Sequence, residues 1–494
     1  MSSANLQKAL LILPCALLLQ ACHLGQRDDL LILVRADDAM SKATGKTYAQ
    51  AYNVPAHRIL NLSLSRQDLP DVIDAATYES EIANPIKSYL TAKDPDQKIS
   101  MLLTTVGIPL RMTPCKNESS HRRHGCSSVA IDAALAGLGR LDFTEGRTKE
   151  DNEQASFGRN SNPYFGDRRS FEDFRRDEPN ANLRFLVARL PKPPKSPEND
   201  STLRARLGRL IDRQEPIPSN TPAAWKLIAH APRDSRDAVS HALFEPIHDL
   251  LSRTGSGICD GCVDPPEAPA PNGVILQRRA AVRGVDSLPE RFNFPGLIID
   301  LSSHETDLLP FQETLQQWIS RGALAISIHL DDPTLFSITR PAMQLRAWIE
   351  GRMAVEAHFI SLPQLGGTNV FIGDPLLRTK HPTTLESGDF DFDGIPDDQD
   401  NCVWLANPAQ RDSNSDGLGN RCDPDVDNDG RVDSSSGKIY PRDQRGDLEI
   451  IALTARNGPF DPDHDLDGDG RVGGRDLALA QLWLFRRPGP SGIR

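Results

Sequence analysis

Beyond its first twenty residues the sequence lacks any apolar run long enough to span a bilayer. It also lacks a basic surplus. The formal net charge is −12, which argues against a nucleic-acid binder. No Gly-x-Ser-x-Gly elbow is present, so the strand–turn–helix nucleophile of one large hydrolase class is missing. What is present is acidity of an uneven kind. Residues 389–476 hold 21 Asp and one Glu against nine Lys or Arg, a net of −13. The rest of the 494-residue chain is close to neutral. Charge confined to one segment points to a bound cation there.

The N-terminus reads as an export signal. Lys8 supplies positive charge, and Ala9–Leu19 is apolar but too short for a stop-transfer helix. Leu19-Gln20-Ala21-Cys22 resembles a bacterial lipobox, which implies a signal peptide over 1–21 and acylation of Cys22. A lipoprotein cysteine carries the two or more chains that stable anchoring needs. The expectation is an exported protein held at a membrane on the periplasmic or cell-surface side. Six cysteines remain after Cys15 and Cys22 are set aside. They fall into three local pairs, Cys115–Cys126, Cys259–Cys262 and Cys402–Cys422, which in an exported chain read as disulfides. Cys115, His121, His124 and Cys126 also have the residue types of a zinc site. Cys259-Asp260-Gly261-Cys262 has redox spacing, but in a Pro-rich loop.

Residues 28–385 alternate short apolar runs with helical patterns. Leu30–Val34, Ile59–Leu64, Ile99–Val106, Arg184–Leu190, Trp225–His230, Leu297–Leu301 and Ala323–Ile328 read as buried strands. Helices are expected over 41–52, 78–92, 128–138, 203–213, 238–253, 311–320 and 342–358, with 113–182 otherwise a long loop region. The fold class is therefore α/β, a mostly parallel sheet with flanking helices, caspase-like or flavodoxin-like. A small C-terminal module of calcium loops and short helices follows.

A calcium ion needs six to eight oxygens. A 12-residue loop supplies them from positions 1, 3, 5, 7, 9 and 12, with Gly at 6 for the turn. Asp389, Asp391, Asp393, Gly394, Asp397 and Asp400 fit, with the Ile395 carbonyl at position 7. Asp412, Asn414, Asp416, Gly417, Asn420 and Asp423 fit again. Asp425, Asp427, Asp429, Gly430 and Asp433 begin a third loop. Asp465, Asp467, Asp469, Gly470 and Asp476 form a fourth. The third register places Ser436, not an acid, at position 12. Because Asp447–Leu453 echoes Asp476–Leu482, an 11-residue insertion before Asp447 restores the closing carboxylate. The implied cofactor is calcium.

Family likeness adds to this spacing. Residues 389–423, with Asp-Gly-Ile-Pro-Asp-Asp-Gln-Asp-Asn-Cys, resemble thrombospondin type 3 repeats, and the resemblance implies a Cys402–Cys422 bond. Residues 425–484 resemble a type I dockerin, an EF-hand-like module, which implies a cohesin-like or other cell-surface partner. Residues 28–380 resemble an exosortase-associated family of exported bacterial proteins. Thr104–Arg111, Asn162–Gly166, Val187–Leu190 and Phe371–Pro375 carry that likeness. The closing Gly-Asp-Pro-Leu-Leu-Arg also resembles the end of gingipain-type cysteine peptidase domains. In those enzymes a His and a Cys follow neighbouring strands. Here His304 follows one strand, but His329 and Asp331-Asp332 follow the next and no Cys does. The expected function is a surface binding or assembly protein. The alternative is a caspase-like peptidase or other hydrolase displayed by the tail.

Overall fold

The computed structural model describes residues 26–65, 72–113, 129–141, 161–191, 224–229, 257–260, 273–277, 296–303, 321–330, 335–365, 367–379, 388–391, 393–434 and 445–493, with single helical positions between 243 and 250 and between 315 and 319. The signal segment, Cys22, the Cys115–Cys126 pair with its two histidines, Cys262 and His304 lie outside the described residues. So does the helix expected over 203–213.

Strands form where apolar residues run without a break. Leu30–Arg35 (β1) is buried throughout, with Leu30 to Val34 at most 1% exposed. Met101–Thr104 (β4) and Leu186–Arg189 (β7) are buried in the same way. Such runs suit strands covered on both faces. Ile59–Leu62 (β2) is only partly buried, as befits the edge it occupies. The other strands of this sheet are Ala224–Ala229 (β8), Gly257–Asp260 (β9), Gly273–Gln277 (β10), Gly296–Ser303 (β11), Ala323–His329 (β12) and Asn369–Gly373 (β13). A small second sheet joins Val72–Asp74 (β3), Arg111–Thr113 (β5) and Val129–Ala130 (β6).

Among the described residues the large sheet has ten strands, in the order β2-β1-β4-β7-β13-β12-β11-β10-β8-β9. Neighbours are parallel except β13 and β12, which pair antiparallel with Ile326 opposite Ile372. The sheet is thus two parallel halves that run in opposite directions. This is the α/β class that the strand and helix alternation predicts.

Some elements depart from the sequence reading. Cys259 lies on β9 rather than in a loop, because pairing with β8 supplies its backbone bonds. β10 and β13 likewise occupy segments with no strand expectation. The helix expected over 342–358 is two, Pro341–Ile349 and Ala354–Ile360, separated at Gly351 with φ +89°. The loop region 113–182 contains a helix at Phe171–Asp177, capped by Ser170 and anchored by buried Phe171 and Phe174. The helix expected over 78–92 opens with a π turn, Tyr78–Ala83, before Asn84–Lys93. Pro85, which has no N–H to donate, sits where the wide turn ends.

The Gly-Asp-Pro motif closes the sheet. Gly373 has φ +130°, and a Cβ there would lie 2.0 Å from the Leu324 carbonyl oxygen. Only glycine lets β13 approach β12 so closely. Asp374 is fully buried and accepts hydrogen bonds from the Tyr48 hydroxyl at 2.7 Å, from the Tyr52 hydroxyl, and from the Leu376 N–H at 3.0 Å. Tyr48 stands on helix α1 (Ala39–Ala51), and Tyr52 caps it. One carboxylate therefore ties the last strand to the first helix. Burial pushes its pKa up, and the hydrogen bonds of both tyrosines pull against that shift.

The hydrophobic core does not stop at the end of the sheet. Cys402, Leu405, Cys422, Val432, Leu482 and Trp483 belong to the same cluster of buried residues as β1, β4 and β7. The tail helices are Asp447–Asn457 and Gly474–Trp483. Arg340 donates to the Leu482 carbonyl at 2.6 Å. The Arg346 guanidinium lies 4.1 Å from the centre of the Phe390 ring. Trp404 meets Phe165 edge-on at 5.1 Å, and Phe336 meets Phe485 at 5.0 Å.

Replacing Asp374 with Ala should lower stability by roughly 1–3 kcal/mol for each buried tyrosine hydroxyl left without an acceptor. Urea unfolding in saturating calcium would show it, and Tyr52→Phe should cost less because it removes one bond only. A midpoint unchanged in Asp374→Ala would contradict this role.

Candidate metal centres

The four Asp-rich loops fold alike, down to single hydrogen bonds. Each places glycine at position 6 with positive φ: +94° at Gly394, +90° at Gly417, +88° at Gly430 and +84° at Gly470. That backbone turn is why the sixth residue is glycine. In every loop the glycine N–H donates to Oδ2 of the aspartate at position 1. The bonds are Gly394 to Asp389 at 3.0 Å, Gly417 to Asp412 at 3.0 Å, Gly430 to Asp425 at 2.7 Å and Gly470 to Asp465 at 3.1 Å. The position 5 N–H donates to the position 3 side chain in all four as well. Sequence spacing becomes geometry here: each loop curls its own carboxylates inward.

Position 12 can be compared between the third and fourth loops. In the fourth loop, Asp476 accepts from the N–H of Asp467, position 3, at 3.2 Å and of Gly473, position 9, at 2.6 Å. In the third, Asp447 accepts from the N–H of Asp427, position 3, at 3.2 Å and of Asp433, position 9, at 2.8 Å. Asp447 stands in the third loop as Asp476 stands in the fourth. Both are buried at the start of a helix. Carboxylate oxygens gather within 4.8 Å in three groups: Asp389, Asp391 and Asp393; Asp425, Asp427 and Asp447; Asp465, Asp467 and Asp476. Asp429 and Asp469, at position 5, are not in these three-residue groups, but their charges act on the neighbouring Asp427 and Asp467.

The donors in these groups are all carboxylate oxygens, which suits a hard cation such as calcium. Their state without one is costly. Among the described residues, buried Asp389 Oδ1, Asp391 Oδ2, Asp400 Oδ2 and Asp433 Oδ1 have no hydrogen-bond partner. Asp391 is pushed up to about 9, first by burial and then by Asp393, Asp400 and Asp389. Burial above all raises Asp447 to about 8, Asp423 to about 7 and Asp425 and Asp476 to about 6. A divalent cation reverses that penalty by favouring the charged form.

Position 9 side chains in two loops also hold backbone. Asp397 and Asn420, both at position 9, use Oδ1 to accept from the N–H at position 2, Phe390 at 2.6 Å and Ser413 at 2.8 Å. The other oxygen of Asp397 pairs with Arg168 of the α/β domain. These side chains tie position 9 to position 2 of their own loops. The Asp412 loop, with Asn414 at position 3, brings Asp416 near Asp423. It also gains a neighbour that spacing gave no hint of. The charge of Asp463 acts on Asp423, and those of Asp416 and Asp412 act on Asp463. Asn420 and Ser413 donate to the adjoining Pro462 carbonyl at 2.7 and 3.2 Å. The short Asp461-Pro462-Asp463 run precedes a loop rather than belonging to one, so no sequence pattern marks it.

Cys402 and Cys422 form a disulfide with Cα atoms 5.6 Å apart. It joins the first two loops across 20 residues. In the chain-entropy model a closure of that length contributes roughly 3 kcal/mol. In the α/β domain, His329 is 1% exposed, with Nε2 3.1 Å from the Thr339 hydroxyl. His358, buried 3.0 Å from the Ser327 hydroxyl, is pushed down to about 3 by burial. Both belong to the packed interior.

No curated protein and no solved structure matches the chain. The family model of the thrombospondin type 3 repeat matches residues 387–410 and 411–435. Such repeats bind calcium and are typical of extracellular proteins. The loops at Asp389 and Asp412 lie within the matched residues, and the second match also takes in Asp425 to Asp433 of the third, so this is a calcium-binding chain carrying two type 3 repeats.

Proposed function

We propose that this chain is an exported, lipid-anchored cell-surface protein with a binding or assembly role, in which the calcium-loaded tail braces the α/β domain. One observation carries the reading. Buried carboxylate oxygens without partners face the first loop, and that loop is seated on the α/β domain through Arg168 and Arg346. Calcium there would hold a tail that is already part of the domain's core. The ligands we assign are Asp389, Asp391, Asp393, Asp400 and the Ile395 carbonyl in the first loop. In the second they are Asp412, Asn414, Asp416 and Asp423. Asp425, Asp427, Asp429, Asp433 and Asp447 serve the third, and Asp465, Asp467, Asp469 and Asp476 the fourth.

The dockerin likeness belongs to this proposal, as does membership of the exosortase-associated family. Leu482 and Trp483, at the end of the second tail helix, are buried in the common core. The first tail helix keeps Leu453 exposed. A cohesin-like or other surface partner would therefore meet residues 447–457. The hydrolase alternative would need a nucleophile beside His304, which lies outside the described residues.

Three outcomes test the proposal. Wild-type protein expressed in a bacterium should partition into detergent with the membrane fraction, and Cys22→Ala should shift it to the aqueous phase. An unshifted variant would remove the anchor from the reading. Calcium at a hundredfold excess over a site's dissociation constant should stabilise that site by about 2.7 kcal/mol. Chelator should accordingly open residues 388–434 and 445–493 to protease and expose Trp483, because tail and domain share one core. Asp447→Asn should reduce the calcium bound at saturation by one equivalent, whereas Ser436→Ala should leave it unchanged. The reverse pattern would place the closing ligand at residue 436.

A further inference from the structure

A cleft of about 500 Å³ opens where the tail meets the α/β domain. Phe165 and Arg340 line it from the domain, and Trp404, Arg431 and the chain from Leu482 to Pro490 from the tail. Among the described residues, every ionisable side chain in its wall is an arginine: Arg340, Arg431, Arg486 and Arg487. That composition stands out in a protein of net charge −12. Like-charged groups gathered in one wall repel one another unless an anion joins them.

One of the four is buried and a second is half-buried. Arg340 is 8% exposed, and its guanidinium donates to the carbonyls of Ile338 at 2.6 Å, Leu482 at 2.6 Å and Leu335 at 3.2 Å. Those bonds satisfy N–H groups and leave the charge uncompensated. Arg486 lies over the Phe165 ring at 3.9 Å, with Trp404 at 6.0 Å. Among the described residues neither Arg340 nor Arg486 has a carboxylate at ion-pair distance. Burial, together with the charge of Arg486, lowers Arg340 to about 9, and burial lowers Arg486 to about 10. A buried charge without a counter-charge is destabilising. The wall is nonetheless fixed. Trp483 donates its indole N–H to the Gly489 carbonyl at 3.3 Å, and Phe485 packs on Phe336.

We propose that this cleft binds an oxyanion, a carboxylate, sulfate or phosphate group, carried by a small ring-sized ligand such as an acidic sugar. Guanidinium forks match such groups in bidentate geometry and are less strongly hydrated than ammonium, so a half-dry site suits them. The volume falls within the range of small-molecule sites and exceeds what a bare ion fills. Phe165, Trp404 and Trp483 offer flat walls for a ring. The site does not depend on the lipid anchor, and saturating calcium keeps the strap that forms its wall in place.

The test uses the full chain in saturating calcium, titrated calorimetrically with a trigalacturonate, a sulfated disaccharide, inorganic sulfate and a neutral trisaccharide. The acidic sugars should bind saturably at one per chain, more weakly as salt rises. The neutral sugar should not bind. Arg431→Gln combined with Arg487→Gln changes two outward-facing groups and should weaken binding about tenfold or more. Arg486→Lys keeps the charge but loses the planar fork, and should weaken binding with calcium content and circular dichroism unchanged. No saturable binding by any anion would overturn the proposal. So would binding that survives both variants with the fold intact. Inorganic sulfate binding as tightly as the sugars would overturn the ring-sized ligand.

Discussion

The tail rests on one constraint: carboxylates drawn together by the backbone turn of a 12-residue loop cannot all stay charged and dry without a cation. The turn is enforced by glycine at position 6, whose N–H is bonded to the aspartate at position 1 in all four loops. The loop thus builds its own electrostatic problem. Burial then sharpens it, as Asp391 and Asp447 show with pKa values pushed to about 9 and about 8. Calcium is the species whose charge and oxygen preference resolve the conflict.

The effect of that constraint reaches beyond the tail. The first loop lies against the domain through Arg346, which covers Phe390, and Arg168, which pairs with Asp397. The core runs from β1, β4 and β7 into Cys402, Cys422 and Trp483. A module that shares its hydrophobic cluster with its neighbour is a part of the fold rather than a bead on a linker. The abrupt change of composition near residue 385 marks a change of chemistry. It does not mark a break in packing.

This contrast also explains what the sequence could reveal. Strands buried on both faces, such as Leu30–Arg35, announce themselves as unbroken apolar runs. β9 opens a segment rich in Pro that reads as a loop, and β13 is embedded in a motif read for its Gly-Asp-Pro. Their strand character comes from pairing with β8 and β12. The loops were legible because ligand spacing is local. Even the insertion before Asp447 left a trace, in the helix that repeats after Asp476. Distant partners left none. Nothing in the spacing of Asp463 places it beside Asp416, and nothing in Phe165 or Trp404 pairs them. At position 9, Asp397 and Asn420 fit the loop pattern as acid or amide, and both also hold the backbone. Residue type alone does not separate the two tasks, since an oxygen that binds an ion also accepts from an N–H.

The last residues show how the constraint is made cooperative. Phe485 and Arg486 exchange backbone hydrogen bonds with Val432, the Gly489 N–H reaches the Cys422 carbonyl, and the Pro490 carbonyl accepts from Val403. The Gly492 N–H finally donates to the carbonyl of Asp400 at 2.8 Å. The same Asp400 directs an unpartnered, buried carboxylate oxygen toward the first loop. One residue therefore holds the end of the chain by its backbone and faces the first centre by its side chain. Ordering that carboxylate around an ion fixes the carbonyl that anchors the strap, and the strap in turn crosses both repeats and closes the arginine-lined cleft. In this fold the centre at Asp389 and the far end of the chain share a single peptide, which is how a set of local loops becomes one structural unit with the α/β domain.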